Sequence, residues 1–170
     1  MSIQSKLDDL IAAQEALAAK FREEAQELFK DVTKEFFETN PSIKAIVWTQ
    51  YTPYFNDGDE CLFSVQAPTF TNAEGEDIEN VTSYGEYDGD NDDVWAIDNF
   101  SWALGKGREY HEKEAALIEA SGGVDLKSVE AFSAMLQSGE MESVMLAMFD
   151  NHSKVVATRD GFDVEEYDHD

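Results

Sequence analysis

Between Lys44 and Lys106 the chain has no lysine or arginine. Over its full length it has 12 of them against 37 aspartates and glutamates, a net charge of −25. A protein whose main task is to grip nucleic-acid phosphates needs a basic face, so that class is excluded. A peripheral binder of anionic membranes is disfavoured on the same ground. The single cysteine, Cys61, excludes an internal disulfide and a multi-cysteine zinc site. The three histidines, His111, His152 and His169, do not fall at metal-ligand spacing, and surface positions are expected for them. A glycine-rich phosphate loop and a Gly-x-Ser-x-Gly elbow are both missing. No apolar run approaches the roughly 20 residues that span a bilayer. The opening Met-Ser-Ile-Gln-Ser-Lys lacks a secretory signal's apolar region, so a cytoplasmic location is expected.

Against these absences stand 170 residues, 42% of them hydrophobic and 12% aromatic. That is one domain, or one domain with an arm, and it is enough apolar material for a real core. The charge is unevenly divided. Residues 1–40 carry 9 acids and 5 bases, residues 41–100 carry 13 acids and one base, and residues 101–170 carry 15 acids and 6 bases. Uniform adaptation to salt would spread the acids evenly, which leaves a partner or plain solubility as the reason for the acidic middle third.

Residues 1–40 read as one long helix, because Ile3, Leu7, Leu10, Leu17, Phe21, Ala25, Leu28, Val32 and Phe36 recur mostly at steps of three and four. Asn40-Pro41 stops it. The seam has a heptad character with Gln14 as a polar interruption. Two readings follow: a helix packed on its own domain, or a self-associating arm seamed by Ile3, Leu7, Leu10, Leu17 and Phe21.

The remainder, 41–170, reads as one α+β domain. Residues 43–51 and 61–66 are strand-like and flank the turn signal Asp57-Gly58, which gives a hairpin with an acidic tip. Cys61 falls on the apolar side of that second strand, where a small buried side chain is expected rather than a nucleophile. Residues 67–93 form a polar, acidic connection with a short strand around 81–87. Residues 94–104 are apolar, and Gly105 and Gly107 break them. Helices are expected over 108–120, with Tyr110 on its apolar side, and over 126–136 with Asp125 as cap, and residues 140–149 read as a third short helix or a strand. A second hairpin, 154–159 and 162–167, closes the chain, and 168–170 should fray. The predicted fold is therefore a long N-terminal helix and a mostly antiparallel sheet from two hairpins, with two or three helices inserted between them.

No constellation here names a reaction, and no catalytic residue or cofactor is assigned. Asp88-Gly-Asp-Asn-Asp-Asp93 imitates the start of an EF-hand loop, but Asp93 stands where the glycine belongs and Asn99 where the bidentate glutamate belongs. The expected function is a non-enzymatic acidic interaction protein. Its partner surface would be Asp57, Asp59, Glu60, Glu74, Glu76, Asp77, Glu79, Glu86, Asp88, Asp90, Asp92 and Asp93. Its partner would be a basic protein, in particular one that binds nucleic acid and is inhibited or modulated by a mimic of it. The stretch Trp48-Thr-Gln-Tyr-Thr-Pro-Tyr-Phe-Asn-Asp-Gly-Asp59, with the small size and acidity, is similar in character to phage accessory proteins, and no chemistry follows from it.

Two alternatives are a scaffold subunit that assembles, for instance as a homodimer, through the N-terminal helix, and a protein holding a divalent metal on carboxylates. They are distinguishable. A mimic needs its acids on one face, a scaffold needs an exposed apolar stripe on residues 3–36, and a metal protein needs three or more converging carboxylates. If the acids serve solubility alone, the binding surface belongs among Tyr51, Tyr54, Phe55 and the methionines of residues 135–148.

Overall fold

The computed structural model describes residues 2–55, 57–105, 109 and 111–169, without the Ser101 side chain. Gly107 and Tyr110, expected at a break and on a helix face, lie outside the described residues. Helix α1 runs Ile3–Thr39. Ser2 opens it by accepting the Ser5 N–H at 3.2 Å, which satisfies one of the amides the first turn leaves unpaired. Asn40 closes it and ties it to a later helix. Its amide donates to the Phe36 carbonyl and to the Ser128 hydroxyl, and its side-chain oxygen accepts the Asp125 N–H.

The sheet is antiparallel throughout. Strand β1 is Ala45–Tyr51, β2 Ser64–Val65, β3 Thr69–Thr71, β4 Ala96–Ile97, β5 Ser153–Thr158 and β6 Gly161–Glu166. The order is β4-β3-β1-β5-β6, and β2 also pairs with β1. Ala45–Val47 of β1 pair with β3 while Gln50 and Tyr51 pair with β2, so β2 and β3 lie end to end along one side of β1. Pro68, which has no N–H to donate, sits in the gap between them. The expected first hairpin thus exists, but its second strand is shorter than 61–66. Cys61 lies in the loop before it and is only half-buried.

Among the described residues four α-helices separate the hairpins: α2 Phe100–Leu104, α3 Glu112–Ala120, α4 Leu126–Leu136 and α5 Glu142–Phe149. Helices α3 and α4 are the two expected, the segment that reads as helix or strand is the helix α5, and the single turn α2 precedes them. The apolar segment 94–104 is both a strand and a helix. Asn99, whose side chain accepts the Trp102 N–H, marks the change.

β1 is buried on both sides, and its alternation builds two cores of different kinds. Ile46 and Trp48 face the helices, where they join Phe29, Phe36, Phe70, Phe132, Phe149 and Val155 in the main cluster. Gln50 shares that face and is buried, but its amide donates to the carbonyls of Met145 and Asp150, so no polar group is stranded. Ala45 and Val47 face the other way into a thinner cluster with Ala73, Val81, Val94, Ala96 and Val156. The acidic connection covers that reverse side. It folds as a 3-10 helix, Gly75–Asn80, and a bridge between Val81 and Tyr87. The methionines of residues 135–148 are core: Met145 is buried in the main cluster, and Met135, Met141 and Met148 pack against it.

Candidate functional site

Two surfaces answer to the sequence expectations, one on α1 and one on the reverse face of the sheet. Among the described residues the helix packs on its own domain only from Ala25 onward, where Phe29, Thr33, Phe36 and Phe37 are buried. Before that point it projects by about 33 Å, at 1.5 Å per residue. Ile3, Leu7, Leu10, Leu17 and Phe21 are all exposed, from 48% at Leu7 to 79% at Ile3. With Gln14, Glu24 and Leu28 they follow a strict 4-3 spacing, the repeat of a coiled-coil seam. The packed-helix expectation therefore fails for residues 3–24.

The reverse face is built as an acidic platform. Strand register puts Asp163 and Glu165 of β6 on the same side as Val156 and Lys154 of β5. The connection lies over the neighbouring strands on that side, so Glu74–Asp93 and these two β6 carboxylates share one face. Asp163 and Glu165 escaped the sequence reading, because only pairing register tells which face an edge residue takes.

Asp77 anchors the platform. It accepts a hydrogen bond from the Tyr87 hydroxyl at 2.7 Å and another from the Asn91 amide at 2.8 Å. These donors, Asn91 first and Tyr87 second, hold its carboxyl below the usual range. Tyr87 is pushed up, by burial first and then by its bond to Asp77. Gly89 makes the arrangement possible, since a β-carbon there would fall on the Tyr87 phenol. Asp92 pairs with Lys113 of α3 at 2.9 Å, which lowers the carboxyl and raises the ammonium. The remaining expected acids of this segment, Glu74, Glu76, Glu79, Glu86, Asp88, Asp90 and Asp93, are exposed.

The other three expected acids, Asp57, Asp59 and Glu60, are exposed on the separate loop after β1. The twelve acids thus divide between two segments. Among the described residues no group of three or more histidine, cysteine or carboxylate side chains is placed to hold a metal ion.

His169 does not fray as expected, and Asp170 lies outside the described residues. His169 lies 3.9 Å from the Tyr51 ring and 4.5 Å from Tyr54, centre to centre, and its Nε2 is 3.1 Å from Nδ1 of His152. Tyr54 stacks on both imidazoles. Two histidines that are 17 residues apart in sequence therefore meet at the end of the sheet, which spacing could not foretell. Of the fallback binding surface, Tyr51 is half-buried in this cluster, while Tyr54, although stacked on the imidazoles, and Phe55 both stay exposed.

Among the described residues no helix is long and apolar enough to cross a membrane. Comparison of the chain with protein-family models, with curated proteins and with solved structures finds no match.

Proposed function

We propose that this protein is a non-enzymatic assembly subunit that associates through the arm formed by the first two thirds of α1. One observation carries the reading: a heptad seam from Ile3 to Leu28 stands exposed on a helix that its own domain covers only from Ala25 onward. Six large apolar side chains in one line exceed what a monomer ordinarily leaves in water. The face of α1 that docks on the domain, through Phe29, Thr33 and Phe36, is about a quarter turn away, so docking and association use different sides.

Sedimentation equilibrium tests this. The wild-type chain should dimerise at micromolar concentrations. Leu17→Asp, which puts a charge into the seam, should weaken association by at least a hundredfold and leave domain unfolding unchanged. A wild-type chain that stays monomeric at about 100 µM would sink the reading, because a heptad seam of this length is expected to pair well below that.

A second reading rests on a separate observation, the grouping of the connection's acids with Asp163 and Glu165 on one face. Such a face suits a basic partner, including a nucleic-acid-binding protein whose site it would occupy in competition with nucleic acid. The two readings are compatible, since the arm and the platform use different parts of the chain.

A further inference from the structure

The seam does not end at Leu28. Val32, Glu35 and Thr39 follow on the same side of α1, and with Phe36 and the α4 residues Ala131, Phe132 and Met135 they line an open, mostly apolar groove of about 300 Å³. The groove is therefore a continuation of the seam onto the domain. We infer that two copies pair antiparallel, and that the tip of each arm, Ile3 and Leu7, lies in the α1–α4 groove of the other. This inference rests on the assembly reading above and adds the partner, the orientation and the docking place.

Charge selects the orientation. Residues 41–170 carry 28 acids and 7 bases, a net −21, whereas residues 1–40 carry only −4. A parallel pair would set both domains side by side at one end of the rod. An antiparallel pair separates them by most of the arm's length, several times the roughly 8 Å over which salt screens charge. Seam chemistry points the same way. In an antiparallel pair the residue numbers in contact add to a constant, and the register that lays Ile3 alongside Glu35 and Val32 sets Leu10 against Leu28 and Leu17 against Phe21. The two polar residues between Ile3 and Leu28 then meet each other: the Gln14 amide can donate to the Glu24 carboxylate of the second copy, twice by symmetry. A parallel pair would instead place Glu24 against Glu24, a like-charge contact in a low-dielectric seam.

Area is sufficient as well. Six exposed seam side chains at about 100 Å² each give roughly 1,200 Å² over the two helices, within the range of specific interfaces before the groove is counted.

The test uses the whole chain with Cys61→Ser and one nitroxide on Ser5→Cys, a position on the side of α1 away from the seam. Antiparallel pairing in this register puts the two labels about 40 Å apart, whereas parallel pairing puts them about 20 Å apart or less. In parallel, Ala131→Glu places a carboxylate at an exposed position of the groove. It should raise the dimer dissociation constant at least tenfold and leave monomer unfolding unchanged. A dimer with the short distance, a dimer indifferent to Ala131→Glu, or a trimer or larger assembly overturns this arrangement while leaving assembly through the arm intact. A chain that stays monomeric at about 100 µM overturns both.

Discussion

Residues 3–24 and 25–39 belong to one unbroken helix with one apolar periodicity, yet their surroundings are opposite. In the second part Phe29, Phe36 and Phe37 are buried in the main cluster. In the first part Leu10, Leu17 and Phe21 stand in water. Periodicity reports that a helix has an apolar face, and says nothing of what covers it. The difference lies in the rest of the chain: α4, α5 and β6 bring Phe132, Phe149 and Phe162 to within about ring-contact distance of Phe29, and nothing among the described residues reaches the arm. The sharpest way to separate the halves is the same truncation in each. Phe36→Ala removes a ring packed on Phe37, Phe70 and Phe132 and should cost about 3–5 kcal/mol in urea unfolding. Phe21→Ala, measured at a concentration where the chain is monomeric, should change unfolding by no more than about 0.5 kcal/mol. A large loss at Phe21 would mean that the arm folds back onto the domain.

The same contrast shows what was legible in the sequence. The long helix, the Asp-Gly hairpins and helices α3 and α4 were readable, because each has local punctuation: Asn40-Pro41, Asp57-Gly58, Asp160-Gly161, Ser121-Gly-Gly123 and Asp125, whereas the pattern of α5 stays open between helix and strand. β3 was not. It is three residues, Thr69–Thr71, too short to alternate, and it is a strand only because β1 and β4 flank it. The connection read as solvated acid because its inward residues, Ala73, Ile78, Val81, Tyr87 and Val94, recur at no fixed period. Its charge was legible as charge, but that it forms a cover over a second small core was not. The contact between His152 and His169 depends on how Tyr51 and Tyr54 hold the chain's last turn, and local pattern carries none of that.

The reverse face extends the comparison from apolar to charged surface. Its exposed carboxylates repel one another, so the isolated protein should gain stability as salt rises. Changing Glu76, Glu79, Asp88 and Asp90 together to their amides should raise the melting temperature at low ionic strength by about 2–4 °C, the shift expected for a modest relief of repulsion in a chain of this size. At 1 M salt the difference should vanish. Arm association, measured in parallel, should respond little to these four changes, because none lies on α1. An equal gain at both salt concentrations would mean that the amides act through local hydrogen bonding rather than through the field.

The smallest expected effect concerns the anchor of the platform, where a single carboxylate makes defined bonds within an otherwise solvated acidic surface. Asp77 is held below its ordinary pKa by Asn91 and Tyr87. A group depressed in the folded state stabilises it above the unfolded pKa, and that contribution is lost as pH falls through the folded value. Asp77 thus adds to stability above about pH 4 and ceases to do so in stronger acid. Tyr87 has the opposite sign: its pKa is raised, so its contribution is present below about pH 10 and fades as pH climbs through the raised value. Tyr87→Phe removes the smaller of the two donors to Asp77. The carboxyl titration, followed by its NMR shift, should therefore move upward yet stay below that of an unpaired aspartate, since Asn91 remains. Gly89→Ala should move it at least as far, because its β-carbon displaces the phenol. If Asp77 in Tyr87→Phe titrates as in the wild type, the phenol contributes nothing to the anchor, and Asn91 with the local backbone must hold the connection against the sheet.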